Sequence, residues 1–121
     1  MPDLSSSKFF TESVTVTSTT AGATADVIYT VPNNFSSIVR YLLLSNGTAS
    51  TKKCYIQFYH NDDSSYHYLA KGLSMAGNSI KSLSEFGNLN LHEGDKIVAY
   101  IESGMDLDVT VSVEEYYDPN R

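Results

Sequence analysis

The chain has 121 residues, which is enough for one domain with a modest hydrophobic core, and its formal net charge is −6. Its few lysines and arginines are scattered along the chain, which disfavours binding to a nucleic-acid backbone or to an anionic membrane surface. A single cysteine, Cys54, excludes an internal disulfide and a cysteine-based zinc site, and its strand-like surroundings predict a buried structural thiol.

The N-terminus shows no basic stretch followed by a hydrophobic core, so the sequence predicts no secretion signal. No apolar run approaches the roughly 20 residues that a membrane span needs, and we expect a soluble protein made in the cytoplasm. Residues 1–11 are polar apart from Leu4 and the pair Phe9-Phe10, so they are predicted to form an N-terminal arm. The two phenylalanines indicate that this arm is anchored, either on its own domain or on a neighbouring molecule.

Two strands with a turn between them are predicted next. Residues 13–18 alternate apolar and β-branched polar side chains, as a half-buried strand does, and residues 19–24 form a turn. Residues 25–31 form the second strand, which ends at Pro32 because proline has no amide proton for the ladder.

The central strand, residues 36–45, is apolar on both alternating faces. Strict alternation places Ile38, Leu42 and Leu44 on one face and Val39, Tyr41 and Leu43 on the other. One face can join the core of the domain, and the other needs a neighbouring segment or another subunit. A turn at Asn46-Gly47 is predicted to end this strand, because both residue types tolerate a positive φ.

The rest of the chain continues as short strands separated by polar turns. They are predicted at residues 53–59, 65–70, 79–83, 96–101 and 107–114. Leu89 and Leu91 are predicted to form an apolar pair that supports these strands. About eight strands without a helical period indicate an all-β fold, an antiparallel β-sandwich, of which the jelly roll is one form. The sandwich is assigned to residues 12–116 and a C-terminal tail to residues 117–121.

The sequence carries no recognisable catalytic or metal motif. Two histidines and two aspartates lie in one predicted hairpin, at His60, Asp62, Asp63 and His67. They could ligate a divalent cation, but aspartate is also the expected residue of such a turn, so we predict no metal site. Because a nucleophile elbow and a phosphate-binding glycine loop are both missing, we predict no catalytic residue, no cofactor and no enzymatic activity.

Aromatic residues carry the interaction hypothesis. The chain has nine tyrosines and no tryptophan, and several predicted strands have bulky side chains on their second face. In the strand at residues 53–59, alternation places Cys54, Ile56 and Phe58 on one face and Tyr55, Gln57 and Tyr59 on the other. Tyrosine is enriched in protein interfaces, so we expect one sheet face or edge to be covered by copies of the chain or by another protein. The predicted contact residues are Phe9, Phe10, Tyr41, Tyr55, Tyr59, Tyr116 and Tyr117.

A family resemblance extends over residues 12–116. The segments that carry it are residues 25–32, 38–46, 76–80, 91–97 and 109–116. In these segments the chain resembles small β-sandwich virion proteins of tailed bacteriophages, a family with no catalytic residues to transfer.

The resemblance implies a structural virion protein that decorates or cements the capsid by bridging neighbouring subunits. Its partners would be major capsid or tail proteins and further copies of itself. It would bind neither nucleic acid nor a membrane, and it would be located in the virion. The alternatives are a tail, collar, baseplate or fibre-attachment protein, or a carbohydrate-binding module that recognises a receptor.

Overall fold

The computed structural model describes residues 3–83 and 88–119, and these residues form two antiparallel sheets packed face to face. Their strands are β1 (Asp3–Val16), β2 (Asp26–Thr30), β3 (Phe35–Asn46), β4 (Lys52–His60), β5 (Ser65–Met75), β6 (Ile80–Ser82), β7 (Leu89–Leu91), β8 (Lys96–Ile101) and β9 (Leu107–Tyr117). The predicted all-β sandwich is confirmed. Within the described ranges no helix is long and apolar enough to cross a membrane.

The two sheets differ in the strands that they expose at their edges. Sheet 1 has the order β1-β9-β3, and the short strands β6 and β7 both pair with the far edge of β3. Sheet 2 has the order β2-β8-β4-β5. The strands at the open edges are therefore β1, β6 and β7 in sheet 1, and β2 and β5 in sheet 2.

The core lies between the sheets and follows the apolar alternation of the central strands. In β9, four apolar side chains at alternate positions from Leu107 to Val113 are almost fully buried. They face Leu42 and Leu44 of β3 and Ile56 and Ile97 of sheet 2 in one hydrophobic cluster. Burying each such side chain contributes about 1.5–3 kcal/mol, so this cluster supplies most of the favourable free energy of folding.

The first strand corrects the predicted N-terminal boundary. Residues 8–16 pair with β9 in one unbroken register, so the boundary between residues 11 and 12 falls inside β1. The predicted arm is thus the first half of an edge strand, anchored on its own domain; residues 1 and 2 lie outside the described residues. At the other end, the predicted tail starts at Tyr117, which is still paired with Phe35 of β3, and residues 120 and 121 are not described.

A β-bulge corrects the predicted faces of β3. The register with β9 shifts between Val39 and Tyr41, so that Arg40 is an extra residue in the strand. Val39 therefore points into the core with Leu42 and Leu44, and it is fully buried. Strict alternation had placed Val39 on the opposite face, because a single sequence does not reveal where a bulge interrupts the period of two.

The turn after β3 is present, but its predicted cause is wrong. Neither Asn46 nor Gly47 has a positive φ. Asn46 is instead buried, and its side-chain amide donates to the carbonyl oxygens of Ser50, Met75 and Ala76 at 3.1–3.3 Å. This asparagine joins the β3–β4 loop to the end of β5.

Candidate interaction surfaces

The outer face of sheet 1 carries an apolar stripe along β3 and β6, formed by Ile38, Tyr41, Leu43 and Ile80. Behind the bulge, Tyr41 and Leu43 alternate with the buried Leu42 and Leu44, so their side chains point away from the core. Tyr41 is 38% exposed and Ile80 is 70% exposed. Within residues 3–83 and 88–119, β3 thus has core residues on one face and partly exposed apolar residues on the other.

Hydroxyl groups cover the neighbouring part of the same outer face, between β1 and β9. Three cross-strand pairs form this hydroxyl ladder: Thr11–Ser112 at 2.9 Å, Ser13–Thr110 at 2.7 Å and Thr15–Asp108 at 2.6 Å. Because Tyr41 lies opposite Ser112 and Leu43 opposite Thr110, the ladder borders the apolar stripe directly. The face therefore divides into an apolar half and a polar half.

An ion pair and one phenylalanine occupy the end of this face. The carboxylate of Glu114 is nearly buried, and its Oε1 accepts from Nε of Arg40 at 2.6 Å and lies 2.5 Å from Nη2. The extra residue of the bulge thus supplies the partner of this carboxylate. Phe9, one of the predicted contact residues, lies opposite Glu114 on the edge strand and is 70% exposed.

Five tyrosines lie on the outer face of sheet 2 and form two groups of contacting rings. Tyr55 stacks on Tyr100 with ring centroids 4.4 Å apart and an interplanar angle of 1°. The hydroxyls of Tyr100 and Tyr68 are 2.6 Å apart, and Tyr59 packs against Tyr66 at 4.8 Å. Burial, followed by the hydrogen bond with Tyr68, raises the pKa of Tyr100 to about 12. The predicted contacts Tyr55 and Tyr59 therefore already have aromatic neighbours within the protomer.

The loop between β1 and β2 covers another part of this second face. The amide of Gly22 donates to Oε1 of Gln57 at 3.0 Å. Gln57 and Val98, both on the outer side of sheet 2, are almost fully buried. The β1–β2 loop thus covers this part of sheet 2. Sequence alone could not predict this, because the predicted turn could lie on either sheet.

The remaining predicted contacts lie at one end of the sandwich. Phe10 faces inward and packs against Tyr29, with ring centroids 6.1 Å apart, so its contact lies within its own domain. Tyr117 is 38% exposed and meets the edge of Phe35. Tyr116 is half-buried and lines a cavity of about 300 Å³ together with Asp118.

A buried polar cluster beneath this end was not predicted. The hydroxyl of Tyr29 donates to Oε2 of Glu115 at 2.5 Å and lies 2.6 Å from the hydroxyl of Ser37. Nζ of Lys8 is 3.8 Å from the other oxygen of Glu115. Burial and the hydrogen bond to Glu115 raise the pKa of Tyr29 well above its usual range. The sequence does contain a signal for this cluster, because the alternation of β9, continued beyond Val113, places Glu115 on the inner face.

The histidines and aspartates of the β4–β5 hairpin make local contacts. Asp63 accepts a hydrogen bond from the hydroxyl of Ser65, which lowers the pKa of Asp63, and that hydroxyl is also 2.9 Å from Nε2 of His67. Nε2 of His60 is 4.0 Å from Asp62. Within residues 3–83 and 88–119 no group of three or more histidine, cysteine, aspartate or glutamate residues is placed to hold a metal ion.

Comparison with known proteins gives a fold and no family. No family model matches the chain, and no curated protein matches it. It is similar to a solved structure from work on Bacillus endospore appendages, which are described there as a novel family of disulfide-linked pili. That similarity covers 93% of this chain and 87% of the other, with a TM-score of 0.50 and 15% sequence identity. It supports the β-sandwich fold.

Cys54 is buried in the core, which confirms the prediction of a structural thiol. Its sulfur lies 3.8 Å from the sulfur of Met75, and burial raises the thiol pKa to about 11. Because the thiolate is the reactive form, we expect no alkylation of the native protein by iodoacetamide at pH 8. Alkylation followed by mass spectrometry across a urea titration should show modification that rises only with unfolding. The exposed variant Ser50→Cys is the control, and native Cys54 reacting as fast as Cys at position 50 would contradict the prediction.

Proposed function

We propose that this chain is a non-catalytic structural subunit of a larger protein assembly, which it joins through the outer face of sheet 1. The observation that carries the proposal is the apolar stripe. Among the described residues, one face of β3 is buried in the core, while Tyr41 of β3 and Ile80 of β6 stay exposed on the outer face. Exposed contiguous apolar surface on a small domain indicates an interaction site.

The arrangement of that face supports a protein partner. Protein interfaces combine an apolar centre with a polar rim that offers hydrogen bonds. Here the apolar stripe adjoins the hydroxyl ladder, whose hydroxyls are directed along the face and can accept or donate further bonds. A partner that buries both halves would gain apolar contact along β3 and polar contact along β9.

The assembly that we propose is the virion of a tailed bacteriophage, with capsid decoration or cementing as the role. The support for this finer assignment is the resemblance in the strands and turns of residues 12–116. Major capsid or tail proteins would then be the partners. A position in the tail, collar, baseplate or fibre attachment would use the same face and differ only in the partner.

The single cysteine bears on how the subunits would be held together. The neighbouring pilus structure is described as belonging to a disulfide-linked family, whereas Cys54 of this chain is buried in the folded domain. A disulfide between folded copies would need this thiol at the surface. Assembly of this chain would therefore depend on non-covalent surface contacts.

Carbohydrate binding is less well supported by the tyrosines. Stacking of a sugar requires an open aromatic ring face, but Tyr55 and Tyr100 direct a ring face at each other, and Tyr68 packs against Tyr100. A glycan array should accordingly give no signal. Specific binding to one glycan, lost on Tyr68→Ala, would instead favour the receptor-recognition alternative.

The proposed role is tested by charging the apolar stripe. The double variant Tyr41→Lys/Leu43→Lys should fold, because both side chains lie on the outer face, yet it should lose at least about tenfold in incorporation into particles. A tagged copy produced in the host during particle formation, followed by density-gradient purification and immunoblotting, measures incorporation.

The matched control places the same charges on the facing strand. Thr110→Lys/Ser112→Lys alters the direct cross-strand neighbours of Leu43 and Tyr41 and leaves the apolar stripe intact. We expect a smaller loss for this control. Equal incorporation of the wild type and the Tyr41→Lys/Leu43→Lys variant would refute the proposed role of the stripe.

A further inference from the structure

The open sheet edges of the sandwich are protected to different degrees. Exposed strand edges invite pairing with other chains, and proteins usually blunt them by short strands, bulges or irregular backbone. Strands β6 and β7 have three residues each, and β2 has five with an irregularity between Val27 and Tyr29. In β5 the register with β4 shifts twice, and Gly72 adopts a φ of +65°.

The edge of β1 lacks these protections. Residues 8–16 pair regularly with β9 on one side, and among the described strands β1 pairs with β9 alone. The regular backbone of this segment therefore presents a continuous row of unpaired amide and carbonyl groups on the other side. Its length of nine residues exceeds that of a typical strand, which has about five or six.

Two charged side chains of this edge face inward and have opposite signs. Lys8 lies opposite Glu115, and Glu12 lies opposite the core residue Val111, so both are on the inner face of sheet 1. Both remain exposed, because the sheet ends at β1. An inward-facing charge at an edge opposes pairing with any strand that lacks the opposite charge.

We propose that β1 is a dimerisation edge that pairs antiparallel with β1 of a second copy, about a twofold axis at Phe10. This register places Lys8 opposite Glu12 of the second copy, and Glu12 opposite Lys8 of the second copy. Both ion pairs lie on the inner face, since directly opposed residues of an antiparallel pair share a face. The edge is therefore complementary in charge to itself.

The other symmetric registers of this edge are less favourable. Centring the pairing on Glu12 would place two carboxylates opposite each other, and like charges directly opposed destabilise a strand pair. Centring it on Phe9, Thr11 or Ser13 would leave Lys8 and Glu12 without an oppositely charged partner across the pair. The twofold axis at Phe10 avoids this and joins the two copies of sheet 1 into one continuous sheet. On the outer face of this joined sheet, Phe9 then lies opposite Thr11 of the second copy. The apolar stripes of the two copies lie on the same side of the joined sheet.

A charge-swap experiment tests the pairing. Sedimentation velocity over a concentration series should show that the wild type dimerises, and that Glu12→Lys raises the dissociation constant about tenfold, since two symmetry-related pairs turn repulsive. Lys8→Glu should act likewise, with its folding checked by circular dichroism because it also brings a carboxylate next to the buried Glu115. The double variant Lys8→Glu/Glu12→Lys should restore the dimer. A wild type that stays monomeric up to about 1 mM, or a dimer unaffected by both single reversals, would overturn the proposal.

Cysteine cross-linking gives a readout that does not depend on the charges. Phe9→Cys/Thr11→Cys places cysteines that face each other across the proposed pair, at a Cα separation of about 4.5–5.5 Å that suits a disulfide. Mild oxidation should convert this variant into a covalent dimer on a non-reducing gel. The control Phe9→Cys/Ser13→Cys has no opposed cysteines, and equal cross-linking of the two variants would overturn the register.

Dimerisation through β1 is independent of the proposed function, which uses the apolar stripe. Glu12→Lys leaves the apolar stripe unchanged, so the variant separates the two ideas. A monomeric Glu12→Lys protein that still enters particles would show that the stripe acts without the dimer. A dimer that never enters particles would leave the edge pairing established and the proposed function refuted.

Discussion

Gly77→Ala should destabilise the domain by about 3 kcal/mol or more, the largest effect that we expect for a single added carbon. A Cβ atom at this position would lie 2.1 Å from the carbonyl oxygen of Ala49 and 2.9 Å from the amide nitrogen of Ser50. Both atoms belong to the backbone of the β3–β4 loop. A rotamer change cannot relieve the contact, so one of the two loops has to move.

Neither loop can move without breaking hydrogen bonds. The side-chain amide of Asn46 donates to carbonyl oxygens in both loops and at Met75, the last residue of β5, and its Oδ1 accepts from the amide of Thr48 at 2.9 Å. The amide of Asn78 donates to the carbonyl of Thr48 at 2.9 Å. Leaving such buried groups unpaired costs about 1–3 kcal/mol each, which is why the strain cannot be relieved cheaply.

Urea unfolding of Gly77→Ala beside Gly47→Ala provides a matched comparison. The added Cβ of Gly47→Ala meets the carboxylate of Asp106 at 2.8 Å, a side-chain group that can rotate away. Neither glycine has a positive φ, so backbone strain does not separate the two positions. We expect Gly47→Ala to lose less than about 1 kcal/mol. Equal stability of the two variants would show that the contact at Gly77 is relieved without cost.

These two loops show which parts of the fold a single sequence reveals. Turns were predicted at residues 46–47 and near Gly77, because polar residues and glycine interrupt the apolar alternation there. That the two turns meet, and that Asn46 joins them, depends on contacts between residues about 30 positions apart. Local propensity carries no information about such contacts.

The strands could be predicted more completely than their partners. The alternation of apolar and polar residues identified β9 and the two faces of β4, because successive side chains of a strand point to opposite faces of the sheet. It failed at the bulge of Arg40, where the period is interrupted, and at β1, whose first half is polar because it lies at an edge. Edge strands bury little apolar surface, so their pattern resembles that of a loose arm.

The candidate surfaces were predictable in part for the same reason. Tyr41, Tyr55 and Tyr59 were assigned to faces by alternation, and these faces are the outer ones. Sequence could not show that Tyr100 and Tyr66, from other strands, pack against Tyr55 and Tyr59. Strand order decides which side chains become neighbours, and here that order follows from long-range pairing.

Tyr29→Phe should cost about 2–3 kcal/mol at pH 7, because it removes the hydroxyl that donates to the buried carboxylate of Glu115. The ring still fills its place against Phe10, so the loss reports the hydrogen bond and the desolvated carboxylate rather than a cavity. Tyr41→Phe is the control, since the Tyr41 ring lies exposed on the outer face of sheet 1, and it should change stability by less than about 0.5 kcal/mol.

Alkaline titration separates this role from simple packing. In the folded protein the pKa of Tyr29 is raised, whereas the unfolded chain releases the same proton near pH 10. Above that pH the unfolded state binds fewer protons than the folded state, so stability falls as pH rises, and the contribution is fully present below pH 10. Cys54, with its pKa raised to about 11, and Tyr100, with its pKa raised to about 12, add to the fall in wild type and variant alike. The difference between them isolates Tyr29. Unfolding free energies of Tyr29→Phe and wild type, measured from pH 8 to 11, should converge, because only the wild type loses this contribution. A constant gap would mean that burial and Glu115 do not hold the Tyr29 hydroxyl protonated.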